Sequence, residues 1–175
     1  MSENLLPDAI VELAARVVEE NRAAGRRIAV AESCTGGLVS AALMEIAGSS
    51  DVFERGFVTY SNDAKQVDLG VPGDIIDTFG AVSIACVYAM ARGALERSKA
   101  DVAVAISGIA GPGGGSESKP VGTVVFARAV RGQDKPEAES RQFTDNGRSA
   151  IRREATLCAL ELLLPPPGDT AQPTD

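Results

Sequence analysis

Apolar side chains recur at Ile10, Leu13, Ala14, Val17 and Val18, the spacing of one buried helix face. The pattern predicts a helix over residues 6–24 that stops at Gly25. Residues 27–31 then predict a short buried strand. It leads through a Ser/Thr/Gly turn into a helix over 38–47, closed by Gly48. Residues 57–60 predict a second strand. Ser61, Asn62 and Asp63 form an N-cap cluster for a helix that runs to Leu69 and ends at Gly70 and Pro72. A long helix is predicted over 82–98, a buried strand over 101–106 and a glycine-rich loop over 108–120. Residues 121–130 and 137–144 predict a strand pair around Arg131 and Gly132, the second alternating polar with apolar as an edge strand does. A final amphipathic helix spans 149–164, where Pro165, Pro166 and Pro167 end it. No internal repeat interrupts this order. Strands alternating with helices predict one α/β domain over 1–164, a layered fold with a mixed, mostly parallel sheet flanked by helices. Residues 165–175 read as a Pro-rich, disordered tail.

Composition narrows the chemistry. A chain of 175 residues fits one domain with a sizeable core, and 45% hydrophobic against 23% charged residues is a folding composition. Lys and Arg number 17 against 24 Asp and Glu, a net charge of −7. With no basic face to neutralise phosphates along a backbone, a nucleic-acid partner is not expected. No apolar run approaches the roughly 18 residues that span a bilayer, so no membrane partner is expected either. The acidic, polar start is unlike the basic start of a signal peptide. Three cysteines, Cys34, Cys86 and Cys158, are odd in number and far apart, which fits a reducing cytoplasm better than a disulfide framework.

Histidine is absent, and that decides more than any of these. It removes Ser-His-Asp and Cys-His machinery, histidine bases and histidine-ligated zinc. Any proton mover must be Lys, Tyr, Asp, Glu or Cys.

Three segments can carry chemistry. In the first, Ser33, Cys34, Thr35, Gly36 and Gly37 stand between a strand and a helix. Backbone N–H groups gathered at the positive end of a helix dipole can hold a phosphate or an oxyanion beside a nucleophile. The same residues also make an ordinary helix cap. Cys34 is a rival nucleophile, or a small buried apolar residue. In the second, Tyr60 precedes the 61–63 cap, and with Ser61 or Asn62 as the cap Lys65 falls in the first helical turn or just beyond. A cation there meets the unfavourable end of the dipole, which favours the neutral form a general base needs; the alternative is a solvated surface lysine. In the third, Gly108, Ile109, Ala110 and Gly111 follow a buried strand, where ligands bind in open α/β sheets. Arg148 and Arg152, one helical turn apart, are either a phosphate clamp or a solvated face.

Taken in order, 31–37 (AESCTGG), 55–65 (RGFVTYSNDAK), 107–112 (SGIAGP) and 119–124 (KPVGTV) resemble the CinA C-terminal domain family over residues 6–164. The resemblance implies a nicotinamide-nucleotide amidohydrolase, which hydrolyses the carboxamide of nicotinamide mononucleotide in pyridine-nucleotide recycling. It implies a Ser–Lys amidase in which Ser33, Tyr60 and Lys65 match the family's catalytic positions. Substrate binding is expected at Cys34, Thr35, Gly36, Gly37, Gly108, Ile109, Ala110, Gly111 and Arg148. A nucleotide is the expected small-molecule partner, no metal or organic cofactor is implied, and a homo-oligomer is expected for a small α/β enzyme. The chain departs from the family at Ile84, where an acid is common, and by one extra residue before Arg148. A nucleotide-binding module without turnover, or an amidase for another small amide, would share these backbone features.

Overall fold

A computed structural model describes residues 4–168. Of the expected tail over 165–175, residues 169–175 lie outside the described residues.

The chain folds in the order α1 (Asp8–Ala23), β1 (Ile28–Glu32), α2 (Leu38–Met44), a 3₁₀ turn (Ser49–Asp51), β2 (Phe53–Val58), α3 (Asn62–Leu69), α4 (Gly73–Phe79), α5 (Ile84–Glu96), β3 (Val102–Gly108), β4 (Thr123–Val130), β5 (Glu137–Gln142) and α6 (Arg148–Leu163). The five strands form one sheet in the order β2-β1-β3-β4-β5. β1 is parallel to β2 and β3, whereas β4 is antiparallel to both of its neighbours. Four strands therefore share one direction, and the expected mixed, mostly parallel sheet is the one found.

Each face of the sheet is covered, and the two faces differ in side-chain size. Towards α1, α2 and α6 the strands present Ile28, Val30, Val102, Val104, Ile106, Val124 and Phe126. Towards α3, α4 and α5 they present mainly alanines: Ala29, Ala31, Ala103, Ala105, Ala127 and Ala129. Small side chains let α5 sit close to the sheet, where it buries Val87, Met90, Ala91 and Ala94. Gly93 carries the same tight packing to α3: a Cβ there would run into the Leu69 carbonyl.

Two elements differ from the sequence expectation. β2 begins at Phe53, not 57. Its first residues include Glu54, Arg55 and Gly56, whose charge and flexibility conceal a strand in sequence but suit an outer edge that faces water on one side. α4 is extra: Pro72, read as a helix stop, is instead the cap that starts a second short helix.

β5 is the alternating edge strand expected, with exposure along most of its length. Glu139 and Arg141 pair along it at 2.8 Å. A charged edge of this kind resists pairing with another sheet.

Candidate active site

Three strand ends converge. β1 hands over to Ser33, β2 to Thr59 and Tyr60, and β3 ends on Gly108, all at carboxyl ends of strands that point the same way. The sheet's hydrogen bonds continue past the strands to fix this end. Ser33 N–H donates to the Ile106 carbonyl at 3.0 Å, and Thr59 N–H donates to the Glu32 carbonyl at 2.9 Å. Gly36 and Gly37 then reverse the chain into α2 with φ of 59° and 94°, left-handed values that a side chain would resist.

Lys65 reaches this point from α3. Ser61 caps the helix by accepting from Ala64 N–H at 3.0 Å, which puts Lys65 in the first turn as expected. Its side chain runs inward and is 1% exposed. The Lys65 Nζ donates to Ser33 Oγ at 3.0 Å, to the Thr59 carbonyl at 2.8 Å and to the Tyr60 carbonyl at 3.4 Å. No carboxylate pairs with it among the described residues. Burial therefore pulls the Lys65 ammonium below its ordinary range, and only Cys86 and Cys34 act in the other direction. Burial in turn pushes the Cys86 thiol up and the Cys34 thiol up to about 11. Both thiols are uncharged near neutral pH, so they bring no negative charge to hold the Lys65 proton. Cys34 in this state is a small buried residue rather than a thiolate nucleophile.

Tyr60 is placed differently from Lys65. Its ring is 64% exposed, and its hydroxyl accepts from Arg148 Nη2 at 3.1 Å. Ser33 and Lys65 touch directly, so the hydroxyl of Tyr60 is not interposed between them. Arg148 also donates through Nη1 to the Gly111 carbonyl at 2.8 Å. The extra residue before Arg148 has thus not removed it from the site. Ile84 is outside the cleft: it opens α5, where Ser83 supplies the cap by accepting from Cys86 N–H at 3.1 Å.

The glycine-rich turns are more committed than their composition suggests. Gly36 N–H donates to the Ser33 carbonyl at 3.0 Å, Gly37 N–H to Glu32 Oε2 at 3.1 Å and Ile109 N–H to the Thr123 carbonyl at 2.9 Å. These three amides are not available to a ligand, contrary to the expectation for Gly36, Gly37 and Ile109. Among the described residues, the amides of Cys34, Thr35, Ala110 and Gly111 donate to no protein oxygen. Of these, Cys34 and Ala110 line the cleft. Arg152 is not half of a phosphate clamp: Nε donates to the Cys34 carbonyl at 3.0 Å and Nη2 to the Thr35 carbonyl at 3.1 Å. Gly108 is required where it stands, since a Cβ there would press on Val124 Cγ2 at 2.7 Å and on Cys34 Sγ at 3.1 Å.

Together Ser33, Lys65, Tyr60, Asn62, Gly108 and Arg148 border a cleft of about 320 Å³. Ala81, Val82 and Ser107 complete its wall, with Ser107 Oγ donating to the Ala81 carbonyl at 2.8 Å. Ala81 and Val82 arrive from the turn between α4 and α5, and as small apolar residues they carry no chemistry legible in the sequence. Among the described residues no cluster of three or more His, Cys, Asp or Glu is arranged for a metal. No helix there is long and apolar enough to cross a membrane.

The profile of the CinA C-terminal domain matches residues 10–165. The chain belongs to the CinA C-terminal domain family. Within the family, a protein of Escherichia coli strain K12 named nicotinamide-nucleotide amidohydrolase PncC is 50% identical over 155 residues, covering 88% of this chain and 92% of its own. A protein of the same name from Enterobacter agglomerans is 47% identical over 164 residues, covering 94% and 96%. The crystal structure of competence/damage inducible protein CihA from Agrobacterium tumefaciens shares the CinA-family fold with a TM-score of 0.88 at 50% identity, over 93% of this chain and 97% of that one.

Proposed function

We propose that this chain hydrolyses the carboxamide of nicotinamide mononucleotide to nicotinate mononucleotide and ammonia, as a step in pyridine-nucleotide recycling, with Ser33 as nucleophile and Lys65 as its base. The observation that carries the reading is the 3.0 Å contact between Lys65 Nζ and Ser33 Oγ, made by a lysine that burial biases towards its neutral form. The names of the PncC relatives support the substrate.

The geometry supports the following steps. Neutral Nζ takes the Ser33 hydroxyl proton as Oγ bonds to the amide carbon, and the carbonyl electron pair moves onto oxygen. The Cys34 and Ala110 amides, which donate to no protein oxygen, receive that oxyanion. Protonated Lys65 passes its proton to the amide nitrogen, the C–N bond breaks and ammonia leaves. Neutral Lys65 then accepts a proton from water, whose oxygen attacks the acyl ester. Returning that proton to Ser33 Oγ releases the acid and restores the site. Arg148, steadied by Gly111 and Tyr60, is the cation for the substrate phosphate. A cleft of about 320 Å³ suits a mononucleotide with its reactive end inward.

Three buried free thiols favour a cytoplasmic site of action. Exposed Val67, Phe79 and Ile84 favour a homo-oligomer.

Incubating the pure protein with nicotinamide mononucleotide and assaying ammonia tests the reading. Ammonia from the wild type and none from Ser33→Ala is the expected result. No ammonia from the wild type overturns the proposed activity, and unchanged ammonia from Ser33→Ala overturns the proposed nucleophile.

A further inference from the structure

Glu32, the last residue of β1, is completely buried and immediately precedes Ser33. It forms no salt bridge with any described residue. Its carboxylate is instead surrounded by neutral donors. Oε2 accepts from Thr35 Oγ1 at 2.7 Å, Gly37 N–H at 3.1 Å and Val39 N–H at 3.1 Å. Oε1 accepts from Ser40 N–H and Ser40 Oγ, both at 2.8 Å. A buried carboxylate without hydrogen-bond partners would be strongly unfavourable, and here both oxygens are satisfied by the chain that follows Ser33.

We infer that Glu32 is a positioning residue for the nucleophile: its carboxylate ties residues 35–40 back onto the end of β1, fixing Ser33 Oγ against Lys65 Nζ and leaving the Cys34 amide at the cleft wall without a protein oxygen to donate to. The inference rests on the reading of Ser33 as nucleophile.

The connections explain how. The Glu32 side chain holds the start of α2 on one side of Ser33. Its backbone carbonyl accepts from Thr59 N–H at 2.9 Å on the other, and the Thr59 carbonyl is itself an acceptor for Lys65 Nζ. One residue thus joins the nucleophile's turn to the segment that holds its base. Arg152 braces the same turn from outside through the Cys34 and Thr35 carbonyls. The N–H of a trans peptide points opposite to its C=O, so the Thr35 amide is turned away from Arg152. By using the Gly37, Val39 and Ser40 amides, Glu32 also removes the start of α2 as a phosphate site, leaving that role to Arg148.

Glu32→Gln separates positioning from bulk. Whichever end of the amide carries NH₂ meets at least one backbone N–H, either Ser40 or the Gly37 and Val39 pair, and two donors repel. Displacement of a nucleophile by about 1 Å lowers turnover by on the order of a hundredfold. The experiment measures kcat and KM for nicotinamide mononucleotide, the melting temperature, and the rate at which an alkyl fluorophosphonate labels Ser33 with loss of fluoride. Folded Glu32→Gln is expected to lose about a hundredfold in kcat with KM within about threefold, and to label more slowly in proportion. A folded variant with a lowered melting temperature but wild-type kcat and labelling overturns the inference, because that is what a purely structural acid would give. If Glu32→Gln does not fold, Ser40→Ala decides. It removes one donor and should slow both kcat and labelling by up to about tenfold; no change in either overturns the inference. If the wild type labels at Ser33 but releases no ammonia from nicotinamide mononucleotide, the substrate reading fails, and the labelling rates alone still decide the role of Glu32.

Discussion

Lys65 Nζ lies 3.0 Å from Ser33 Oγ although the two residues are 32 positions apart in sequence, and neither side chain has a carboxylate partner among the described residues. A lysine with an acid beside it would hold its proton. This one meets only a hydroxyl and two carbonyls, so burial lowers its proton affinity without a histidine to help. Lys65→Ala and Ser33→Ala should therefore each lower ammonia release by roughly 10³-fold or more, with circular dichroism unchanged. Near-normal turnover by either variant rules out the pair.

The same lysine sets a pH dependence. Folding lowers its proton affinity, so between its folded pKa and its ordinary value of 10.5 the unfolded chain binds the proton more readily. Stability then rises with pH across that window, because the unfolded state carries the extra proton there. Below the folded pKa both states are charged and the slope vanishes. Urea unfolding of wild type and Lys65→Met at a series of pH values from 7 to 10 should show this rise in the wild type only. In parallel, kcat/KM should climb through a pKa below 10.5 as the base becomes neutral. Parallel stability curves for the two proteins would contradict the assignment.

Variants of Tyr60 and Arg148 are expected to separate binding from proton transfer. The Tyr60 hydroxyl contacts Arg148 rather than Ser33 or Lys65. Arg148→Ala should raise KM for nicotinamide mononucleotide by about 10- to 100-fold, the loss of one charge-assisted contact. Tyr60→Phe should act mainly on KM, through a less steady Arg148. A loss of kcat of about a thousandfold in Tyr60→Phe, with KM unchanged, would instead put the hydroxyl in the proton path.

Thiol chemistry distinguishes Cys34 from a nucleophile. It is 5% exposed and its pKa is pushed up to about 11. Iodoacetamide at pH 7.5 should leave it unmodified in the folded protein and alkylate it rapidly once urea unfolds the chain. Mass spectrometry of the Cys34 peptide reads both outcomes.

Packing on the alanine face gives a stability test. Gly93→Ala drives a methyl into the Leu69 carbonyl just where α3 meets α5. Overpacking of this kind costs about 1–3 kcal/mol, measurable as a lower urea midpoint, and it disturbs the helix that carries Lys65.

The amino-acid sequence alone determined the layered α/β fold, a helix cap at Ser61 or Asn62 and the place of Lys65 near the start of that helix. These are local matters: hydrophobic period, cap residues and glycine stops act over a few neighbouring positions. It also excluded histidine chemistry outright. The start of β2 escaped it, because an edge strand carrying Glu54, Arg55 and Gly56 has no apolar run to read, and α4 was hidden behind Pro72. Tertiary structure decided the rest. Whether Lys65 was a surface charge or a buried one depended on the sheet bringing the end of β2 beside the end of β1. Which glycine-turn amides are taken up depended on the buried Glu32 carboxylate and the Thr123 carbonyl, and the turn is braced at its carbonyls by Arg152 from up to 118 residues away. Hydrogen-bond saturation and burial are properties of the assembled interior, and no spacing along the chain encodes them.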